Sequence, residues 1–482
     1  MKKALLLIGG FLAIAVSASG QFQPCGQGHV TQQFAAQHPD FQFLVHQTFD
    51  AAQRDFQNGY SSRSSDEVHR VEVVVHIVYN TPEQNISDEL VHEQIAILNE
   101  DFRRLNPDAG EARDIFRAVG ADAGIEFVLA DEDPTGQPTN GITRTATEVE
   151  TFVDLDLDFA TLLEAAAECG QDFGCIQEKI LVGGLEQSAE NGGVMMDDVK
   201  RTDRGGADPW DPTRYLNIWV TNLNIDFLGQ EMPAILGFAY PPVGAPNWPD
   251  EIFAEDLSAV DGVVIHHQAW GKSNGGDGLL GNLADGGRTT THEVGHYFGL
   301  RHVHGDGDCD SDDGISDTPA ADANQQAQAD PENLPVCTDL HSINTCDGDD
   351  LPDMIENYMD YNAITCQNLF TVEQVGIMRA MLEGPRAGLI GRVITSTTET
   401  ILSNQLRVWP NPTQDVLYLE LDGERLEEFD IQIRTIFGQE VAAVQLHGNR
   451  EIHLGQLPDG VYLVQLTKAG QSITKKVSLL RS

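Results

Sequence analysis

Histidine, glutamate and glycine fall in a metal-binding order along His292-Glu293-Val294-Gly295-His296-Tyr297-Phe298-Gly299-Leu300-Arg301-His302. His292 and His296 are four apart, so on a helix both imidazoles leave one face and can share one ion. Glu293 sits beside the first ligand, within reach of a metal-bound water but not placed to coordinate. Gly299 permits a positive φ and a sharp turn out of the helix, which returns His302 as a third ligand. Three protein ligands leave a fourth tetrahedral position for water, the arrangement of one catalytic Zn2+ rather than a closed structural site. Such a zinc brings its water towards a neutral pKa. Glu293 then acts as general base and carries the proton to a leaving amine. The chemistry expected is metal-assisted amide hydrolysis. A bare histidine pair turns up by chance on solvated helices, but the added glycine and third histidine argue against chance.

These groups need a rigid frame, and the flanking sequence predicts one. Val71 to Tyr79 is an apolar, β-branched run that reads as a buried strand. Ser87 or Asp88 caps a helix whose Val91, Ile95, Leu98, Phe102 and Leu105 recur every three or four residues, until Asn106-Pro107 stops it. Ile125 to Ala130, Tyr215 to Val220, Ile235 to Tyr240 and Gly262 to Ile265 read as further strands, the third ended by Pro241-Pro242. Strands alternating with helices predict an α/β catalytic unit over 67–390. Residues 391–405, with the run Thr395 to Thr400, form a polar linker. From Leu406 short alternating strands are separated by turns such as Asn411-Pro412, Asp422-Gly423 and Pro458-Asp459-Gly460, so 406–482 is expected to be a small all-β sandwich.

Composition sets the context. At 482 residues the chain should form two or three folded units. With 75 acidic against 29 basic residues its formal net charge is −46, which repels phosphates and excludes nucleic acid as a partner. Lys2-Lys3, the apolar stretch Ala4 to Val16 and the small residues Ser17 to Gly20 read as a signal peptide over 1–20, too short for a membrane span. No later segment supplies a transmembrane run. The protein is therefore expected to be exported through the periplasm and to end secreted or at the cell surface, under oxidising conditions. Residues 21–66 are polar, Gln-rich and short of strand signals, which suits a prosegment; Arg63 and Arg70 flank its processing region. Cys169 and Cys175 are close enough to close a small disulfide loop. Cys309, Cys337, Cys346 and Cys366 follow the zinc motif and allow three pairings, which leaves Cys25 alone.

Downstream, Asn357-Tyr358-Met359-Asp360-Tyr361 resembles the methionine turn that lies beneath the metal in metzincin metallopeptidases. That resemblance implies an α/β (α+β) catalytic domain with a twisted mixed sheet and a zinc-binding helix. It makes Met359 the structural methionine and Tyr361 a phenol that helps stabilise the tetrahedral intermediate. It narrows to the pappalysin family through Val73 to Tyr79, Trp210-Asp211-Pro212, Tyr215 to Trp219, Leu236-Gly237-Phe238-Ala239, Asp261 to Val264 and Asp317-Thr318-Pro319. The family pattern implies Cys309–Cys346 and Cys337–Cys366 disulfides. It also makes Leu236, Gly237, Phe238 and Ala239 the edge that aligns an extended protein or peptide substrate by β-addition. Cys25, in Pro24-Cys25-Gly26, matches a prosegment cysteine that fills the open zinc position in latent members. Where some relatives carry an acidic residue that reads basic side chains, this chain has Thr365, so an arginine preference does not carry over.

Six aspartates between Asp306 and Asp317, interleaved with glycine, form a loop suited to Ca2+. By analogy with the family, Asp313, Asp317 and Thr318 are its candidate ligands. In the tail, Val408-Trp409-Pro410-Asn411-Pro412, Gly460-Val461-Tyr462 and Lys475-Lys476-Val477 resemble the C-terminal sorting domain of the type IX pathway, which implies secretion machinery as a partner. The expectation is a secreted zinc metalloendopeptidase made as a latent precursor. The alternative is a catalytically silent, calcium-dependent surface binding module, against which the intact Glu293 and three histidines argue.

Overall fold

The computed structural model describes residues 25–37, 41–57, 68–153, 167, 168, 179, 195–227, 230–242, 261–272, 286–322, 337–346, 351–361, 364–390 and most of 406–481. The signal segment, the Cys169–Cys175 pair, Arg63 and the linker lie outside the described residues.

The long strand β1 (His69–Tyr79) organises the catalytic unit, because its Val/Ile run is buried on both faces. It pairs in parallel with β2 (Ile125–Leu129), β3 (Ile142–Ala146) and β4 (Leu216–Thr221). β5 (Asn224–Phe227) and β6 (Gln230–Pro233) form a separate hairpin. β7 (Gly237–Ala239) then runs antiparallel to β8 (Val263–His266), which is parallel to β4, so the sheet order is β2-β1-β4-β8-β7 with β7 at the edge. The mixed sheet matches the expectation; β7 is shorter than the strand read over Ile235 to Tyr240. Arg70 lies inside β1, opposite Glu126 of β2, so a cut there would remove paired strand.

Two helices occupy the polar N-terminal region, which composition alone marks only as polar and short of strand signals. They are α1 (Gln27–Gln37) and α2 (Phe41–Gln57). Glutamine-rich composition hides the spacing of Phe41, Leu44, Thr48, Phe49, Ala52 and Phe56, all buried on one face of α2. α3 (Asp88–Phe102) starts at Ser87, whose hydroxyl accepts from the Leu90 N–H at 3.4 Å. It buries Val91, Ile95, Leu98 and Phe102, but Leu105 is 70% exposed, since the helix ends at Phe102 and Arg104 turns to φ 48°. The histidine helix α4 (Arg288–Tyr297) follows, and α5 (Val372–Glu383) opens with a reciprocal Thr371–Gln374 capping box. α2 packs on α5 so closely that a Cβ on Gly376 would fall 2.0 Å from the Phe56 ring.

The C-terminal region is the expected sandwich. β9 (Leu406–Trp409), β10 (Val416–Leu421), β11 (Asp430–Thr435), β12 (Glu440–Ala443), β13 (Glu451–His453), β14 (Gly460–Lys468) and β15 (Gln471–Leu479) form antiparallel sheets ordered β13-β10-β9 and β12-β11-β14-β15. Leu417, Leu419, Ile433, Val464, Leu466 and Val477 fill the space between them. Among the described residues no helix is long and apolar enough to cross a membrane.

One buried ion pair locks the end of α4. Arg386 donates from both terminal nitrogens to Asp261 at 2.8 Å and from Nε to the Tyr297 carbonyl at 2.9 Å. Its guanidinium lies 3.4 Å from the Tyr297 ring centroid. Asp261→Ala strands this cation in the interior and is expected to lower stability by about 3–5 kcal/mol. A denaturation midpoint unchanged from the parent would show the pair to be dispensable.

Candidate metal centre

α4 carries His292, Glu293 and His296, and the chain leaves it through Gly299 at φ +92° to bring His302 back. The three Nε2 atoms lie 2.9–3.2 Å from one another. Each outer nitrogen is already committed. His292 Nδ1 donates to the Tyr358 carbonyl at 2.7 Å, His296 Nδ1 to the Leu300 carbonyl at 2.8 Å, and His302 Nδ1 to the Asp306 carboxylate. In the neutral ring that leaves Nε2 bare, so three lone pairs face one point. Burial holds all three imidazoles below their usual pKa, His292 at about 4, with the neighbouring rings adding to the effect at His296 and His302. Ligands about 2.0–2.1 Å from a tetrahedral zinc sit roughly 3.3 Å apart, so the donor set fits that ion in type and spacing.

Glu293 is fully buried beside the triad, and neither carboxylate oxygen meets a donor at hydrogen-bond geometry. Burial pushes its pKa up to about 8, with the nearby Cys25 thiol pulling slightly the other way. Cys25 closes the cluster: its Sγ and the three histidine nitrogens all lie within 4.8 Å of one another. Burial and the Glu293 charge push this thiol up. Cys25 also forms a parallel bridge with Gly237, and the Gly26 N–H donates to the Gly237 carbonyl at 2.8 Å. The N-terminal segment therefore lies along β7, the edge expected to take substrate. Leu236 and Phe238 point into the core, while a Cβ on Gly237 would come within 2.9 Å of Glu293.

Met359 lies under α4, its Sδ 2.5 Å from where a Cβ on Gly295 would stand, and its carbonyl accepts from the Val303 N–H at 3.2 Å. A reciprocal amide pair, Asn357 with Gln374 at 2.9 and 3.0 Å, fixes that turn. Asp101 of α3 accepts from Thr291 and Tyr358 at 2.7 and 2.8 Å and so joins both halves of the site. Tyr361 Oη stands 3.5 Å from His302 Nδ1. The disulfides are Cys309–Cys346 and Cys337–Cys366, as the family resemblance implied, and Cys25 is free.

In the acidic loop Asp313 is buried, accepting from the Ile315 N–H at 2.9 Å and the Thr318 hydroxyl at 3.0 Å, and burial pushes it up to about 8. Asp317 accepts from the Glu373 N–H at 3.0 Å through Oδ2, while its buried Oδ1 meets no donor at hydrogen-bond geometry. Asp306 turns away from this loop to His302, and His304 packs beside it; neither was singled out from the sequence as part of the metal site. Thr365 lines a cavity of about 260 Å³ with Glu100, Asp101, Asp108, Lys272 and Arg288. Arg288 pairs with Asp108 and Asp101 and Lys272 with Glu100, so among the described residues two cations face three carboxylates there.

A histidine helix, a glycine turn and a methionine turn beneath a mixed sheet with an antiparallel edge define a metzincin-type metallopeptidase. Residues 279–383 match the family model of peptidase M43, pregnancy-associated plasma protein-A, and 407–479 match that of the secretion system C-terminal sorting domain. An extracellular metalloprotease of Arthroderma otae is 31% identical over 224 residues, covering 41% of this chain and 72% of the relative. One from Arthroderma benhamiae is 33% identical over 170 residues, 35% of this chain and 49% of the relative, so the chain spans about half the length of that protein. Mature mirolysin of Tannerella forsythia, solved with a cleaved peptide, is 34% identical with a TM-score of 0.50, covering 67% of this chain and 96% of that one. A promirolysin mutant from the same organism is 32% identical with a TM-score of 0.54, covering 76% and 97%. The chain belongs to the pregnancy-associated plasma protein-A family of peptidases. Its sorting domain and extracellular relatives mark it as an exported protein.

Gly299 is the backbone pivot of the metal centre. Gly299→Ala forces a left-handed residue to carry a Cβ, a strain of about 1–2 kcal/mol, and should both destabilise the fold and weaken zinc retention. Unaltered melting and metal content in the variant would remove the pivot from the design.

Proposed function

We propose that the protein is a zinc-dependent endopeptidase made as a latent precursor. The observation that carries this reading is the convergence of three bare Nε2 atoms on one point, with a buried carboxyl beside them that faces the Cys25 thiol. His292, His296 and His302 would hold the ion. Zinc, when bound, supplies Lewis acidity that acidifies a water and polarises an amide carbonyl. Glu293 takes the proton from the attacking water and delivers it to the leaving amine nitrogen. Tyr361 donates its phenol proton to the oxyanion as charge develops there. Met359 supports α4 from below rather than touching substrate.

β7 offers its free edge to an extended peptide, which would add as a further strand with main-chain hydrogen bonds. Peptides and proteins are thus the substrates. Thr365 itself offers no carboxylate to select arginine. In the precursor the segment containing Cys25 takes that edge instead, and its sulfur reaches the metal position. With the three histidines holding the ion, the Cys25 thiolate would take the fourth position and so exclude the catalytic water. We further assign a structural Ca2+ to Asp313, Asp317 and Thr318. Support comes from the buried Asp313 carboxyl and the unsatisfied Asp317 Oδ1, because hard carboxylate oxygens are what calcium takes.

The processed protein should cleave casein, and a zinc chelator should abolish this; equal turnover with and without chelator would sink the proposal. Glu293→Gln should keep its zinc while kcat/KM falls by roughly 10²–10⁴-fold. For latency, Cys25→Ala should raise precursor activity or hasten self-cleavage. A variant precursor as silent as the parent would count against the thiol as inhibitor.

A further inference from the structure

We propose that Asp306 and His304 form a support for the third zinc ligand: Asp306 orients and polarises His302, and His304 is the positioning residue that bends Asp306 into place. This rests on the zinc reading above and goes beyond it. The His302 Nδ1–H donates to the Asp306 carboxylate, although Asp306 is 53% exposed and has no packing reason to face inward. Asp306 adopts φ +59°, a left-handed conformation unusual for a residue with a side chain. What holds it there is visible. The Asp306 N–H donates to His304 Nδ1 at 3.1 Å, closing a tight turn over Gly305.

His304 itself is 1% exposed. Because its Nδ1 accepts, its proton must sit on Nε2, and that atom is buried without a partner. An apolar ring would fill this space without stranding a donor. The feature an imidazole adds is the acceptor aimed at residue 306. The ring is also stacked on His302, with centroids 5.0 Å apart and planes 16° from parallel, and it packs on Tyr361 at 4.8 Å. His304 therefore fixes both the turn and the tilt of the ligand ring. A carboxylate on the far nitrogen raises the basicity of an imidazole ligand and locks its tautomer, and losing such a partner typically weakens metal binding 10–100-fold.

The test is the zinc dissociation constant of the full chain, measured by competition with a chromophoric chelator, alongside thermal unfolding of the zinc-free protein. Asp306→Ala and His304→Ala should each weaken zinc about 10–100-fold, and the double variant little more than either, because they act as one unit. His304→Asn, whose side-chain oxygen can replace Nδ1 as acceptor, should retain most of the affinity. Melting of the zinc-free protein should hardly change. An unchanged dissociation constant in Asp306→Ala, or full additivity of the two alanine changes, overturns the proposal. So does a zinc-free melting point that falls in step with affinity, since that marks a merely structural role. Parent protein that binds no zinc would instead overturn the metal site itself.

Discussion

Three nitrogen lone pairs about 3 Å apart repel one another, and the fold spends much of its architecture holding them there. Each histidine is pinned from behind by an acceptor on a different segment: the methionine turn, the end of α4, and the turn after His302. A dication turns that repulsion into attraction, which is why a fixed tautomer matters as much as ligand identity. The surrounding core serves this arrangement. Asp101 ties α3 to α4 and to Tyr358, Arg386 anchors the end of α4, and the Asn357–Gln374 pair holds Met359 beneath it.

The sheet solves a second problem, that of presenting one open edge next to the metal. β7 is antiparallel where its neighbours are parallel, and its outer side pairs only with the short stretch at Cys25 and Gly26 among the described residues. Glu293 lies against Gly237, so the edge backbone and the buried carboxylate stand within one contact distance. The N-terminal segment exploits the same closeness: a two-residue stretch pairs with the edge and brings sulfur to the metal position.

Much of this was legible from covalent spacing alone. His292, Glu293 and His296 follow from helical periodicity, and Gly299 announced the turn that returns His302. β1, β2, β4 and β8 were readable because buried parallel strands leave unbroken β-branched runs. Met359, Tyr361 and the disulfide pairing needed family resemblance, since sequence separation does not say which loops meet. Asp306 and His304 stayed hidden because their roles depend on one left-handed residue in a loop whose composition suggested only calcium. α1 and α2 were masked by a glutamine-rich composition, and Leu105 lies beyond a helix that the backbone has already ended at Phe102.

Phe49 and Ala52 of α2 belong to the main hydrophobic core together with β1, α4 and α5, and Phe56 seals Gly376. A nick in the chain after α2 would therefore leave the segment seated by this apolar contact together with polar ones, among them Gln53 to the Gly314 carbonyl, Arg301 to His46 and the Gly26 N–H to the Gly237 carbonyl. Under the proposed latency, onset of activity would be set by how fast that helix departs or is digested, rather than by when the first bond is cut.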